Sequence, residues 1–158
     1  MHNFLNKWFG SATDYKKSPS LWSEYLEETK KEERYVVVAE SNCSVVGFAT
    51  LKYRSAYPSF REANTPEIKD LLVAPPFRKQ GVAQQLISAL EDYARSRGSK
   101  EIGIGVGLYA DYGPAQRLYV KLGYVPDGQG VMYECQTVVP GQNYPVDDEL
   151  VLFFIKNL

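Results

Sequence analysis

The spacing of apolar residues along the chain predicts three helices. From Val82 to Ala94, apolar side chains recur every three or four positions, which is the period of a helix with one broad buried face. Gly98 is typical of the position that follows such a helix. A similar spacing predicts a helix over 21–33, with Ser20 as its cap, and a shorter one over 114–123.

Runs rich in β-branched and aromatic residues predict strands around these helices. The predicted strands are 34–40, 44–53, 67–74, 100–108, 131–139 and 149–158, and the first two are joined as a hairpin. The polar and aromatic segment 54–66 is predicted to be a loop. This irregular order of helices and strands predicts a mixed α/β fold in three layers rather than a regular doubly wound one. No repeat or linker divides the chain, so residues 1–158 are predicted to form one domain.

Composition and charge narrow the classes of partner. The 158 residues are 44% hydrophobic and 23% charged, as in a globular protein, and the formal net charge is −1. A general affinity for nucleic acid is therefore not expected. No apolar run reaches the length of a membrane span. We expect neither nucleic acid nor a membrane as a partner.

Histidine and cysteine are scarce, which limits the kinds of active site that the chain can form. The sole histidine, His2, lies near the terminus, which argues against histidine-based catalytic triads and histidine-ligated metals. We therefore expect no metal. Cys43 and Cys135 are too few for a disulfide framework, which favours a cytoplasmic protein with free thiols.

A basic cluster and a glycine stand where a predicted strand gives way to the long helix. Pro75 and Pro76 end the strand, and Arg78, Lys79 and Gly81 come directly before the helix. The first N–H groups of a helix have no partner within it, and the positive end of its dipole lies there. Glycine lets a ligand approach the backbone closely. The junction is a candidate anion site, although a solvated basic turn has the same composition.

A second glycine-rich stretch lies on the predicted strand 100–108. Residues Gly105 to Ala110 fit the dinucleotide fingerprint G-x-G-x-x-G/A. Pro114, however, starts the next helix too late for these glycines to open it. The alternation of Gly103, Gly105 and Gly107 instead predicts a strand face that leaves room for another backbone or a ligand. An NAD-dependent oxidoreductase is thus a less favoured alternative.

Two motifs together resemble the GNAT superfamily of acyl-CoA-dependent N-acetyltransferases. Arg78, Gly81 and Ala83 meet its [QR]-x-x-G-x-[GA] motif, which lies between a strand and a helix. AQRLYVKLGY at 115–124 meets its later motif, A-x-x-L-Y-x-K-x-G-[FY]. There are two departures: Tyr112 stands where the family usually has asparagine, and the N-terminal region has little room for the family's first strand.

The resemblance implies a GNAT-like three-layer αβα sandwich with a central, mostly antiparallel mixed sheet, and acetyl-CoA as the acyl donor. Backbone N–H groups from Lys79 to Ala83 would bind the pyrophosphate, and the N–H of Val73 would polarise the thioester carbonyl. Pro75 and Pro76 would help to separate the strand from its neighbour, which makes a cleft for the donor. The implied donor-binding residues are Leu72, Val73, Arg78, Lys79, Gln80, Gly81, Val82 and Ala83.

The resemblance also implies two catalytic roles. Acetyl transfer requires the amine to lose a proton and the thiolate to gain one. Tyr119 matches the family's usual acid, and Glu67 has the same offset from Gly81 as the base of the histone-acetylating branch. Asp70 is a competing carboxylate that strand alternation places on the opposite face. Water is the third candidate for the base.

The sequence leaves open which amine accepts the acetyl group. Tyr53, Tyr57 and Phe60 lie where acceptor-binding loops often occur in the family, but they suit ordinary packing equally well. The acidic run 147–149 suits either a cationic amine or a solvated turn. We expect a small-molecule or peptide amine as the acceptor, and a homodimer is left open. The alternative to an enzyme is a GNAT-like module that binds acyl-CoA without catalysis.

Overall fold

One mixed sheet organises the part of the chain that the computed structural model describes, residues 19–158. His2 and the expectation of a missing first strand fall outside this range. Seven strands follow the order β1-β2-β3-β4-β7-β5-β6, and only β3 and β4 run parallel among these neighbours. Their bounds are Arg34–Ser41 (β1), Ser44–Lys52 (β2), Glu67–Val73 (β3), Glu101–Gly107 (β4), Val125–Tyr133 (β5), Gln136–Thr137 (β6) and Leu150–Asn157 (β7).

Four α-helices accompany the sheet within this range. They are Pro19–Lys30 (α1), Pro58–Ala63 (α2), Val82–Ser96 (α3) and Gly113–Lys121 (α4). α1 begins at Pro19, so Ser20 lies inside the helix and is not its cap. α2 falls in the predicted loop, because six residues are too few to show a helical period. β5 begins well before the predicted run, because glycines and a register shift interrupt its pattern.

The two faces of the sheet carry different layers. On one face, here called the α3 face, Ala49 and Leu51 of β2 pack in a core that includes Leu86 and Ile87 of α3 and Tyr119 of α4. On the other face, here called the α2 face, a smaller cluster holds Tyr57, Phe60, Met132 and Phe153. α1 contacts β1. A mixed α/β fold with a central, mostly antiparallel sheet is confirmed.

A β-bulge interrupts β3 and changes which side chains share a face. Asp70 and Leu71 both lie opposite Ala49 of β2, and Asp70 has the left-handed φ of 55°. The extra residue resets the alternation, and the Asp70 carboxylate accepts a hydrogen bond from Tyr25 of α1. Asp70 therefore lies on the same face as Glu67. The expectation of opposite faces was wrong because it assumed a regular strand.

The sheet opens between its two parallel strands. β3 and β4 are paired only at Glu67–Gly103 and Ile68–Ile104. Pairing therefore ends before the bulge and well before Pro75 and Pro76, so the separation that these prolines were expected to help begins upstream of them. Past Ile68 the two strands diverge and leave a cleft at their carboxyl ends.

Candidate active site

The cleft between β3 and β4 has a volume of about 210 Å³ and brings together the two predicted catalytic residues. Glu67 and Tyr119 both line it, although they are distant in sequence. Its wall also includes Tyr112, Cys135, Asp148 and Glu149, with the main chain of β3 and β4 between them. The cleft thus combines a carboxylate and a phenol with exposed strand edges.

Glu67 lies at the start of β3 and is held by a short hydrogen bond. Its side chain is almost fully buried, at 2% exposure. The Ser55 hydroxyl donates to Glu67 Oε2 at 2.6 Å. The ammonium of Lys69, the next residue on this face, lies 3.4 Å from Glu67 Oε1. Glu67 therefore has one oxygen fixed by a neutral donor and the other beside a cation.

Tyr119 reaches the cleft from the α3 face. It is buried in the last turns of α4 and packs in the core beneath the sheet. The N–H of Tyr124 donates to the Tyr119 carbonyl at 3.0 Å, which ties down the end of the helix around Gly123, with its φ of 88°. Tyr119 and Glu67 therefore border one cleft from opposite faces of the sheet.

Asp70 borders the cleft, but its carboxylate is engaged elsewhere. It accepts from Tyr25 at 2.7 Å, and from Arg34 and Thr50 at 3.3 Å each. Arg34 is itself buried and also donates to Glu28 of α1. Burial, followed by the charge of Asp70, raises the pKa of the Tyr25 hydroxyl far above its usual value. Asp70 thus belongs to a network that fixes α1 against the sheet.

The end of β3 directs the N–H and C=O of one residue, Val73, away from β2. Ala74 donates its N–H to the carbonyl of Val46 on β2, at 2.8 Å. Because peptide groups alternate in direction along a strand, the N–H and C=O of Val73 are directed away from β2, to the side where β4 has separated. Arg78 Nε donates to that Val73 carbonyl at 3.0 Å. Arg78 is therefore anchored at the strand end.

The junction before α3 has the backbone of an anion site. Lys79 and Gly81 have left-handed φ values of 59° and 84°, and α3 starts at Val82. Gln85 N–H donates to Gly81 O at 3.0 Å, so the N–H groups of the first turn, before Gln85, have no acceptor within the helix. A Cβ at Gly81 would meet no atom within 4 Å, so the space next to this backbone is open.

The remaining predicted donor-binding residues support the junction rather than face the open space. Leu72 is buried, and Val82 and Ala83 are partly buried against the main core. The Gln80 side chain turns back and donates to the Pro76 carbonyl at 2.8 Å. In this region the open features are therefore backbone N–H groups and the Arg78 and Lys79 side chains.

The three glycines of β4 face aromatic rings. A Cβ at Gly103 would lie 2.1 Å from Phe60, one at Gly107 would lie 2.4 Å from Tyr112, and one at Gly105 would lie 3.0 Å from Phe153. The glycines do share one face, as predicted. The space they leave is taken by side-chain rings rather than by another backbone or a ligand. Tyr112, the departure from the family's asparagine, thus packs over Gly107.

The loop aromatics serve as anchors. Tyr57 and Phe60 are each 2% exposed. Tyr57 stacks on Phe153 with ring centroids 3.8 Å apart, and its hydroxyl donates to Asp127 at 2.7 Å. Burial, with a smaller contribution from Asp127, raises the pKa of Tyr57 to about 12. Tyr53 is partly buried and forms an edge contact with Tyr93 of α3. The packing role, rather than the acceptor-lining role, holds for these three rings.

Sequence reasoning missed Cys135 of the cleft wall, Ser55 next to Glu67, and the hydrogen bonds of Asp148. Ser55 carried no signal, because a serine in a polar loop is typical of a turn. Cys135 lies in the tight turn between β5 and β6, whose bounds were not predicted. Asp148 accepts hydrogen bonds from the hydroxyls of Tyr109 and Tyr112. The prediction of an acidic turn at 147–149 gave no reason to expect these two bonds.

Residues 19–158 contain neither a metal-type cluster of side chains nor a membrane-spanning helix. No three His, Cys, Asp or Glu side chains in this range come together as a metal site requires. No helix in the same range has the length and apolar character to cross a membrane.

Comparison with known proteins agrees with the geometry. Residues 2–124 match the acetyltransferase (GNAT) family. An uncharacterized N-acetyltransferase of Bacillus subtilis (strain 168), YhfO, is 28% identical over 141 residues, which are 87% of each chain.

Solved structures share the fold. A ribosomal-protein-alanine N-acetyltransferase from Brucella melitensis is 24% identical with a TM-score of 0.65, and the alignment covers 88% of this chain and 78% of that one. A GNAT family acetyltransferase from Elizabethkingia anophelis with acetyl-CoA bound is 20% identical with a TM-score of 0.63, over 94% and 93% of the two chains. The chain belongs to the acetyltransferase (GNAT) family and is an acyltransferase enzyme.

Proposed function

We propose that this enzyme transfers the acetyl group of acetyl-CoA to a primary amine by direct attack of the amine on the thioester. One observation carries the proposal: Glu67 and Tyr119 border a single cleft from opposite faces of the sheet. The amine can then approach from the face of Glu67, and the thiol can leave on the face of Tyr119.

The start of α3 fits the pyrophosphate of the donor. The unused N–H groups of its first turn and the left-handed backbone at Lys79 and Gly81 form a cradle for an anion. The open space at Gly81 leaves room for close approach. Arg78 and Lys79 add positive charge around the cradle.

Acetyl-CoA supplies an activated thioester, and the residues of the cleft handle charge and protons. The N–H of Val73 would polarise the thioester carbonyl as a fixed donor. The ammonium of the acceptor would first lose one proton to solvent, and Glu67 would take a second proton from the neutral amine as the C–N bond forms. Tyr119 would give its proton to the sulfur as the C–S bond breaks. The residues of the cleft thus remove one proton and supply one.

The acceptor is proposed to be a cationic amine. Asp148 and Glu149 line the cleft together with Glu67, and their charges favour a positively charged substrate near the reacting carbonyl. The free thiols of Cys43 and Cys135 support a reducing compartment, and we place the reaction in the cytoplasm.

Donor binding is tested by titrating the protein with acetyl-CoA in a calorimeter, with NAD as the control ligand. Gly81→Glu should raise the dissociation constant at least about tenfold, because a carboxylate would occupy the approach to the N–H groups. Gly98→Glu is the matched control: Gly98 has the same φ of 84° and equally open surroundings, at the other end of α3. Equal affinity in both variants would place the pyrophosphate elsewhere.

Turnover is tested with a panel of a polyamine, an aminoglycoside and a peptide, while released thiol is followed. Acetylation of any of these amines would support the proposal. Saturable acetyl-CoA binding without turnover for any amine would favour the binding module. NAD binding in place of acetyl-CoA would contradict the proposal altogether.

A further inference from the structure

Glu67 stands at the end of a chain of hydrogen bonds that begins in the segment before α2. The Tyr57 backbone N–H donates to Ser55 Oγ at 2.9 Å, and the Ser55 hydroxyl donates to Glu67 Oε2 at 2.6 Å. All three residues are 2% exposed. This segment therefore makes a direct and dry contact with the proposed base.

The chemistry of the groups fixes the direction of these two hydrogen bonds. An amide N–H can only donate, so Ser55 Oγ must accept from Tyr57. The single hydroxyl hydrogen of Ser55 is then left to point at Glu67. A carboxylate oxygen that accepts such a bond is held in one orientation, and a bond to a charged group is stronger than one between neutral groups.

This series of hydrogen bonds is anchored away from the cleft. The Tyr57 ring stacks on Phe153 at 3.8 Å, and its hydroxyl donates to Asp127. These contacts fix the peptide that holds Ser55. The position of Ser55, and through it that of Glu67, is thus set by packing on the α2 face and not by solvent.

We propose that Ser55 is a positioning residue for Glu67: it holds Oε2 so that Oε1 receives the proton of the attacking amine. This inference rests on the proposed function. It assigns a role to a residue that touches neither the donor nor the acceptor, and it predicts that Ser55 affects turnover only through Glu67.

The test is a double-mutant cycle of the full chain with Ser55→Ala, Glu67→Gln and the double variant. Turnover is measured with saturating acetyl-CoA and an amine that the parent acetylates. Glu67→Gln should lower kcat at least about 100-fold, the lower end of the usual contribution of a general base. Ser55→Ala should lower kcat about tenfold, as expected for a lost hydrogen bond to a charged group, without a comparable rise in KM.

The double variant should be no slower than Glu67→Gln alone, because Ser55 would have no base left to position. Ser55→Cys fills the same space with a weak donor and should match Ser55→Ala, which covers the case in which the alanine variant folds poorly. Ser96→Ala, at the exposed end of α3 and away from the cleft, is the control and should leave kcat unchanged.

The outcomes separate the two proposals. Multiplicative losses in the double variant would overturn the role of Ser55, since its effect would then be independent of Glu67. Normal kcat in both Ser55 variants would also overturn the role of Ser55 but would leave the proposed function intact. Full turnover in Glu67→Gln would overturn the base assignment and the positioning role with it. A parent inactive on every amine would overturn the proposed function itself.

Discussion

Two buried tyrosines, Tyr119 and Tyr124, lie five positions apart with ring centroids 6.2 Å apart, yet their hydroxyls have different surroundings. The Tyr124 hydroxyl donates to Glu91 at 2.9 Å, and Lys156 binds the same carboxylate. Tyr119 borders the cleft. At the residue scale this difference separates a structural phenol from a proposed acid, and the pair provides its own control.

Tyr119→Phe should lower kcat at least about 100-fold with little change in acetyl-CoA affinity, because the phenol would act only when the thiolate leaves. Steady-state kinetics and calorimetry measure the two quantities. Tyr124→Phe should keep kcat and lower the free energy of unfolding by about 1–2 kcal/mol, since Glu91 would lose a buried donor. Unchanged turnover in Tyr119→Phe would remove its role as the acid.

The glycines of β4 give a second prediction at this scale. Gly103→Ala should reduce the free energy of unfolding by about 1–3 kcal/mol, because a methyl group 2.1 Å from Phe60 forces the ring to move. Gly105→Ala, on the same face but with a 3.0 Å contact, should cost clearly less. Urea titrations of both variants test the ranking, and equal costs would contradict it.

The bulge in β3 is the feature that matters most at the scale of elements. Asp70→Ala and Asp70→Gly both remove the carboxylate that accepts from Tyr25, Arg34 and Thr50, at a cost of about 2–3 kcal/mol. Alanine should cost about 1 kcal/mol more, because glycine adopts a φ of 55° without strain. Denaturant unfolding of the two variants measures the difference. An equal or smaller loss for alanine would mean that the bulge is absent in solution.

The elements with a strong and local sequence pattern were predicted correctly. α3 was predicted because a long apolar period ends near Gly98, and α4 was predicted because Pro114 suits its first turn and Gly123 follows it. The bulge was not predicted, because nothing in EIKDLLV marks Asp70 for a left-handed backbone. Ser55 was missed for a related reason: its role depends on a partner twelve positions away that only the folded chain brings near.

At the scale of the whole molecule, buried tyrosines make stability depend on pH in the alkaline range. Burial is the main cause, with smaller contributions from neighbouring carboxylates, and it raises the pKa of Tyr57 to about 12 and those of Tyr25 and Tyr124 further. A pKa that is higher in the folded than in the unfolded chain gives stability that is complete below the unfolded value, about 10, and is lost as the pH rises towards the folded value.

The free energy of unfolding should therefore decline above about pH 10, and less steeply in Tyr57→Phe, by at most about 1.4 kcal/mol per pH unit. Denaturant titrations between about pH 8 and about pH 11 measure the two slopes. Below about pH 9 the curves of the parent and the variant should run parallel, which is the internal control. Identical slopes above pH 10 would show that Tyr57 does not ionise on unfolding in this range.

The short seam between β3 and β4 has a mechanical consequence. The seam divides the sheet into two parts, here called plates: β1, β2 and β3 form one, and β4, β7, β5 and β6 form the other. Antiparallel pairing joins the strands within each plate. Two register pairs join the plates, so a small tilt about the seam breaks few hydrogen bonds. A ligand wedged between the plates would stiffen this hinge. Amide exchange in the carboxyl halves of β3 and β4 should then slow on donor binding.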